Sequence, residues 1–137
     1  MAITQSITTT RRRPVTIVLW TAQVVLAAFF IFASAPKLLG DPTAVAMFHV
    51  IGFGQWFRYL TGICELAGAI GLLVPRLSGL AATGLVGVMI GATLTNLFLV
   101  PGMAPAAAAT VVLGVIFALI AYARRGETRA LLAALRP

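Results

Sequence analysis

The sequence predicts an all-α membrane protein, a transmembrane up-down bundle of four helices with a short interfacial helix between the first and second spans. Of its 137 residues, 61% are hydrophobic and 9% are charged, whereas a soluble domain carries about 25% charged residues. The apolar runs are continuous rather than alternating, which indicates helices and not a β-barrel. The connections between the runs are short, as between antiparallel neighbours in a bundle. We therefore expect residues 1–137 to form a single transmembrane domain.

Uncharged runs define the four predicted spans, because a spanning helix needs about 20 apolar residues. The spans lie at about 15–35, 57–74, 77–100 and 105–123. The last two come from one long uncharged run, which Pro101-Gly-Met-Ala-Pro105 divides with a tight turn. A cleaved signal peptide is the alternative for the first run, and Ala33-Ser34-Ala35 resembles a cleavage site. That run is longer than the usual signal core, which favours a span.

The connection between the first two spans predicts a short helix at the outer interface. Asp41 followed by Pro42 is a good helix start, a capping side chain and then a proline in the first turn. Gly52 and Gly54 end the segment, and about ten residues are too few to cross a bilayer. Three aromatic residues then form an anchor where the second span begins: Trp56, Phe57 and Tyr59.

The basic residues predict the orientation. Ten Lys and Arg stand against three Asp and Glu, for a formal net charge of +7. They flank apolar runs rather than forming a polar face, so we expect no nucleic acid partner. Both predicted tails, 1–14 and 124–137, are expected in the cytoplasm, because eight arginines share their side of the bundle against two cations opposite. The eight are Arg11, Arg12, Arg13, Arg76, Arg124, Arg125, Arg129 and Arg136, and the two are Lys37 and Arg58.

The C-terminal tail "RRGETRALLAALRP" has two interpretations. It alternates basic residues with a Leu/Ala face, so it can lie on an anionic leaflet as a short interfacial helix. Alternatively it is a solvated, frayed end.

Single cysteine and histidine residues exclude several kinds of site. Cys64 has no partner in the chain, so neither an internal disulfide nor a thiol relay is expected, and we interpret it as a packing residue. His49 alone is too little for a haem held by two histidines or for a histidine-rich metal site. We therefore predict no metal site.

Glu65 is a carboxylate in the middle of the second span. A charge at the bilayer centre costs about 2.5–3.5 kcal/mol on insertion scales, so it must face the bundle, be protonated or be paired. We predict a polar intramembrane cluster composed of Glu65, Lys37, Arg58, His49, Gln23 and Asn96. In one interpretation Glu65 and a cation form a ligand or proton site. In the other, Glu65 is a polar clamp that fixes helix pairing.

The third span carries small residues at every fourth position. This stripe, Gly79, Thr83, Gly87, Gly91 and Thr95, is typical of close helix packing. The sequence does not decide whether the stripe faces the second span or another protomer. In the second case the protein would form a homo-oligomer.

Two segments resemble the DoxX and DoxX-like family of small bacterial integral membrane proteins: "FIFASAPKLLG" and "GICELAGAIGLLVPRLSGLAATGLVGVMIGATLTNLF". The resemblance rests on a Lys-Leu pair that closes the first span and on a Glu before a Gly-rich turn in the second. A short basic loop and a small-residue-rich third span follow. Lys37 with Leu38, Glu65, and Arg76 match these features in order. The resemblance covers about residues 15–123, and it implies a multi-pass protein of the bacterial plasma (inner) membrane.

The family is similar to a subunit of thiosulfate:quinone oxidoreductase, and some members are associated with redox-stress complexes in the envelope. The resemblance therefore implies an accessory subunit of a redox-linked envelope complex, not an enzyme on its own, with the lipid bilayer and a soluble or membrane oxidoreductase as partners. The alternative is a small quinone- or lipid-binding membrane enzyme or carrier that uses Glu65 with Lys37 or Arg58. No cofactor is evident in the sequence, and quinone is the candidate ligand. Many relatives carry a histidine where this chain has Asn96, which puts a proton or quinone site there in doubt.

Overall fold

The computed structural model describes residues 2–137, with side chains from Pro14 onward, and these residues form six α-helices and no strand. The helices are α1 (Ala2–Leu39), α2 (Pro42–Ile51), α3 (Gln55–Leu73), α4 (Ser78–Phe98), α5 (Ala104–Ala123) and α6 (Arg125–Ala134). Among the described residues, three segments are long and apolar enough to cross a membrane: Pro14–Leu39, Ser78–Phe98 and Ala104–Ala123. The predicted all-α fold with helices that can span a membrane is confirmed for the described residues.

The second predicted span, 57–74, corresponds to α3, which is not among the three candidate spans. This helix has 19 residues and is long enough, but Gln55, Arg58 and Glu65 lower its mean hydropathy. A fourth span therefore stays a prediction. If α3 spans the membrane, its polar side chains must face the protein interior rather than lipid.

The first helix is longer than the predicted span 15–35. It begins at Ala2, passes through Pro14 and Pro36, and ends at Leu39. The Asp41 amide donates to the Pro36 carbonyl at 2.9 Å, just beyond the end of the helix. Residues 2–14 of the predicted tail thus belong to α1, while the side chains of Arg11, Arg12 and Arg13 lie outside the described residues.

The short second helix has the boundaries that its sequence predicts. The Asp41 carboxylate accepts a hydrogen bond from the Thr43 amide at 2.9 Å, and Pro42 occupies the first turn. Gly52 ends the helix in the left-handed conformation with φ 85°, which favours glycine. Phe48 and Ile51 are buried, and Phe48 packs against Phe57 at the start of α3. This packing holds α2 against α3.

Consecutive long helices run antiparallel. Along α1 and α3, Gln23 contacts Leu72 while Lys37 contacts Glu65. Along α4 and α5, Thr93 contacts Thr110, and Gly114 lies against Met89. The glycines of α3 bring α4 close, since Gly68 faces Leu85 and Gly71 faces Ala81. Each of the helices α1, α3, α4 and α5 is thus antiparallel to the next of them along the chain.

The packed core lies toward one end of these four helices. Its buried residues are Leu26, Ala27 and Phe30 of α1, Ala69 and Leu72 of α3, Ala82, Leu85 and Met89 of α4, and Phe117 and Ile120 of α5. We call this end of the molecule, where α5 meets α6, the Arg124 end. The opposite end, where α1 meets α2, is the Lys37 end. Buried side chains are concentrated near the Arg124 end, whereas a cavity is lined by residues nearer the Lys37 end.

The C-terminal segment is helical rather than frayed. Helix α6 follows α5 directly and lies against the start of α4. Ser78 Oγ is 3.4 Å from a Glu127 carboxylate oxygen, and Gly79 leaves room for the Thr128 side chain. The first of the two interpretations of the tail is therefore correct as to helix formation.

Candidate functional site

A salt bridge joins α1 and α3 at the Lys37 end. Lys37 Nζ lies 2.6 Å from Glu65 Oε2 and 2.7 Å from Oε1, so one ammonium donates to both oxygens of the carboxylate. The Glu65 side chain is 6% exposed and that of Lys37 is 21% exposed. Taking a carboxylate out of water is costly, and this pairing offsets the cost.

Arg58 reinforces the same end of the site without touching Glu65. Its guanidinium donates to the Lys37 carbonyl through NH1 and to the Gln55 side-chain oxygen through Nε, the latter at 2.8 Å. It also lies over the Tyr59 ring at 4.2 Å, a cation–π arrangement. Arg58 is buried, and its hydrogen bond to the Lys37 carbonyl fixes the backbone at the end of α1. This cation therefore supports Lys37 and does not pair with Glu65.

A cavity of about 660 Å³ opens beside the ion pair. All five helices from α1 to α5 contribute to its walls. Aromatic residues line it from three of them: Phe29, Phe30, Phe48 and Phe57. Lys37 and Glu65 supply charge to an otherwise mostly apolar wall, and Cys64 and Thr61 lie on the same side of α3. An apolar chamber with a few polar groups at one place is the usual form of a small-molecule site.

Three glycines of α4 face open space. A Cβ added at Gly84, Gly87 or Gly91 would meet no atom within 4 Å, and all three residues line the cavity. Larger side chains at these positions would occupy the chamber. The sequence predicts a packing stripe here, but within the described chain the stripe divides into different environments. Gly79 packs against α6, Thr83 donates to the Gly79 carbonyl, and Gly87, Gly91 and Thr95 border the cavity.

The part of the cavity wall formed by the end of α4 carries a polar side chain, Asn96, without a hydrogen-bond partner among the described residues. Asn96 and Thr95 line it from the last turns of α4, and neither side chain has a hydrogen-bond partner among the described residues. By contrast, Thr93 and Thr110 bond to one another at 2.7 Å between α4 and α5. The Asn96 amide, which can both donate and accept, is therefore available to a ligand.

The structure divides the predicted polar cluster. Lys37, Glu65 and Arg58 come together at one end of the cavity, and Asn96 lines another part of its wall. His49 is exposed on α2 and does not line the cavity. Gln23 lies near the Arg124 end instead, because it is 14 residues before Lys37, about 20 Å along a helix.

Gln23 belongs to a second polar network. Its amide donates to the Leu72 carbonyl at 2.6 Å and accepts from Arg124 Nε at 3.0 Å. Arg124 also pairs with Glu127 at 3.0 Å and stacks 5.1 Å from the Trp20 ring. The network ties α1, α3, α5 and α6 together, so it acts as a clamp between helices at the packed end.

Sequence reasoning missed this network because Gln23 and Arg124 are 101 residues apart. Arg124 also has the sequence context of an ordinary flanking arginine. The spacing of Arg124 and Glu127 allows an ion pair along one helix, and Gln23 is a single polar residue in a distant apolar segment. The sequence does not connect the two, because only the tertiary packing brings Gln23 to Arg124.

The described residues offer no metal site, since no three His, Cys, Asp or Glu side chains among them come together. The walls of the chamber combine aromatic rings with an ion pair and an amide.

Comparison with known proteins points to one family. The model of the DoxX-like family matches residues 21–100, which is more than half of the 137-residue chain. The matched segment contains Lys37, Glu65 and the α4 glycines that line the cavity. No curated protein and no solved structure matches the chain. The chain belongs to the DoxX-like family.

Proposed function

We propose that this DoxX-like protein is a multi-pass protein of the bacterial plasma membrane that binds a lipid-soluble molecule of the quinone class, as an accessory subunit of a redox-linked complex. One observation carries the proposal: an apolar, aromatic-lined cavity whose wall holds the Lys37–Glu65 ion pair. Apolar walls favour a ligand that partitions into lipid, and the ion pair favours one with a polar head.

The size of the cavity supports a ligand of this class. A volume of about 660 Å³ falls within the range of about 300–1,000 Å³ typical of small-molecule sites. Four phenylalanines line the chamber, Phe29, Phe30, Phe48 and Phe57, and an aromatic wall favours a flat ring. A purely aliphatic ligand would form no hydrogen bond with Lys37, Glu65 or Asn96, which line the cavity.

The chemistry of the ion pair suits a ring that carries carbonyl or hydroxyl groups. An ammonium has three donors, and two of those on Lys37 are directed to Glu65. The third can donate to a ligand oxygen, while the Glu65 carboxylate can accept a proton from a hydroxyl. Reduction of a quinone to a quinol takes up two electrons and two protons. The electrons would come from a partner oxidoreductase, one proton would pass from water through Glu65 to a ring oxygen, and water would supply the second proton to the other ring oxygen. In the reverse direction, Glu65 would accept one hydroxyl proton of the quinol and water would accept the other.

The same proposal includes the membrane arrangement. Four helices would span the bilayer, with α3 sheltered by its neighbours so that its carboxylate never faces lipid. Arg76, Arg125 and Arg129 lie at the Arg124 end and Lys37 at the other, so both termini would be cytoplasmic by the positive-inside rule. Helix α2 would then lie at the outer interface, beside the cavity.

The proposal is tested by purifying the full chain in detergent and measuring quinone retained from the membrane by its absorbance, then titrating added ubiquinone or menaquinone. We expect bound quinone in the wild type and saturable rebinding after its removal. Protein that carries no quinone and shows no saturable binding would overturn the ligand assignment. Co-purification of an oxidoreductase with such ligand-free protein would instead favour an accessory subunit that binds no small molecule.

A further inference from the structure

The surface around α6 carries positive charge that the chain itself does not neutralise. The sequence has three acidic residues, and the structure accounts for each of them. Glu65 pairs with Lys37, Glu127 pairs with Arg124, and Asp41 caps α2. Among the described residues, no acidic side chain is therefore paired with the four exposed arginines near the Arg124 end, which are Arg76, Arg125, Arg129 and Arg136.

These arginines are placed by the docking of α6. Its inner face is held by Thr128 against Gly79 and by Glu127 beside Ser78. At 100° per residue, Arg125, Arg129 and Leu132 share a different face, because they lie at i, i+4 and i+7. Leu132 is 48% exposed and both arginines are exposed. This basic face, defined by Arg125, Arg129 and Leu132, is exposed and does not include the residues that contact α4.

Neighbouring residues extend the basic face. Arg76 lies in the turn between α3 and α4, two residues before Ser78, which contacts α6. Arg136 follows the end of α6, beside the exposed Leu135. Arg125 is held in place by the end of α5, since it donates to the Tyr122 carbonyl at 2.8 Å and lies 3.9 Å from the Tyr122 ring.

We infer that the basic face of α6 is a docking surface for anionic phospholipid headgroups. Charge complementarity favours this occupant. Several arginines without an acidic side-chain partner lie at the end of helices that are long and apolar enough to cross a membrane, and exposed leucines beside them can enter the acyl boundary. Juxtamembrane arginines each contribute about 1 kcal/mol near an anionic leaflet, and amphipathic helices of this kind lie in the interface plane. The inference does not depend on the ligand proposed for the cavity.

The consequence is that anionic lipid stabilises the folded chain through α6. Because α6 is tied to Ser78 and Gly79 of α4 and, through Arg124, to Gln23 of α1, lipid bound on its outer face holds the clamp at the packed end in place. Ligands that bind the folded state raise its melting temperature by mass action.

The test uses the full chain in a neutral detergent, with short-chain phosphatidylglycerol added at increasing concentration and the melting temperature as the readout. We expect a saturable rise with phosphatidylglycerol and none with phosphatidylcholine of the same chain length. The double variant Arg125→Gln/Arg129→Gln should need about 30-fold more phosphatidylglycerol for the same rise, since two contributions of about 1 kcal/mol are lost. The matched control Ala130→Gln/Ala133→Gln, on exposed positions of the same helix, should behave as the wild type.

Four results would overturn the inference. Equal rises with the two lipids would show that headgroup charge is not recognised. A wild-type response from the arginine double variant would remove α6 from the site. Loss of the response in Gly87→Leu, which fills the cavity but leaves α6 intact, would place the lipid in the cavity instead. Inorganic phosphate at the same concentrations should have no effect, and a matching rise would show simple anion binding rather than a lipid surface.

Discussion

Lys37 and Glu65 meet across α1 and α3 with an ammonium that bridges both carboxylate oxygens, at 2.7 and 2.6 Å. The pair lies on the wall of a large cavity and not in the packed core. A separate network around Gln23 and Arg124 already clamps the helices at the other end. The ion pair is therefore the better candidate for chemistry, and the Gln23 network the better candidate for structure.

Replacement of one partner in the ion pair should cost stability. In Glu65→Gln the Lys37 ammonium keeps its charge but loses its counter-ion, and we expect a loss of about 2 kcal/mol in the free energy of unfolding. The value is below that of a fully buried pair because Lys37 is 21% exposed. Chemical denaturation in detergent measures the change.

The double variant Lys37→Leu/Glu65→Leu separates stability from chemistry. A buried pair replaced by apolar residues is often neutral for stability, so we expect near wild-type unfolding but no quinone retention. Retention of quinone by this variant would show that the pair does not contact the ligand.

Filling the cavity should block binding without harming the fold. An added side chain at Gly87 meets no atom within 4 Å and projects into the chamber, so Gly87→Leu should accumulate normally and lose at least tenfold in quinone affinity. The matched control is Gly126→Leu, because Gly126 also faces open space but lies on α6 away from the cavity. A titration by tryptophan quenching compares the two variants. Equal affinities in both would contradict the placement of the ligand.

The contact between α3 and α4 should be intolerant of a single methyl group. A Cβ at Gly71 would lie 2.7 Å from the Ala81 Cβ, which cannot move away by rotating. We expect Gly71→Ala to lose about 1–3 kcal/mol through overpacking, whereas Gly91→Ala should be neutral or slightly stabilising because glycine is unfavourable within a helix. Thermal unfolding in detergent distinguishes them, and equal melting temperatures would mean that the helices can separate at no cost.

Loss of the clamp should destabilise the chain while leaving the cavity intact. Gln23→Leu removes the partner of both Arg124 Nε and the Leu72 carbonyl, which are buried. Each unsatisfied buried group costs about 1–3 kcal/mol, so we expect a lower melting temperature and unchanged quinone affinity in the protein that remains folded. A variant that keeps its stability but loses affinity would assign Gln23 to the ligand site.

Local signals in the sequence predicted much of the fold. Asp41, Pro42 and Gly52 mark the ends of α2 through capping and backbone conformation, which depend on a few neighbouring residues. Glu65 and Lys37 were predicted to lie in one polar cluster, since a carboxylate in an apolar helix must face the bundle, be protonated or be paired. The helical continuation of the chain before Pro14 was not predicted, because a proline tolerated inside a helix has no distinct local signal.

The cavity could not be predicted from the sequence. Glycines at every fourth position of α4 are equally suited to close packing and to leaving a void, and the difference depends on what the neighbouring helices present. Gly79 meets Thr128 from α6, whereas Gly87 and Gly91 meet nothing. The Gln23–Arg124 contact depends likewise on the tertiary arrangement, because it joins the first long helix to the end of the last.

The uneven filling of the interior has a consequence for motion. The Arg124 end is joined by buried side chains from four helices, whereas the Lys37 end surrounds a chamber. Regions with fewer buried contacts open more often, so amide hydrogens of α2 and of the first turns of α3 should exchange with deuterium sooner than those around Leu72 and Leu85. A ligand bound in the chamber would slow that exchange, so the exchange rate of amides at the Lys37 end would report whether the chamber is occupied.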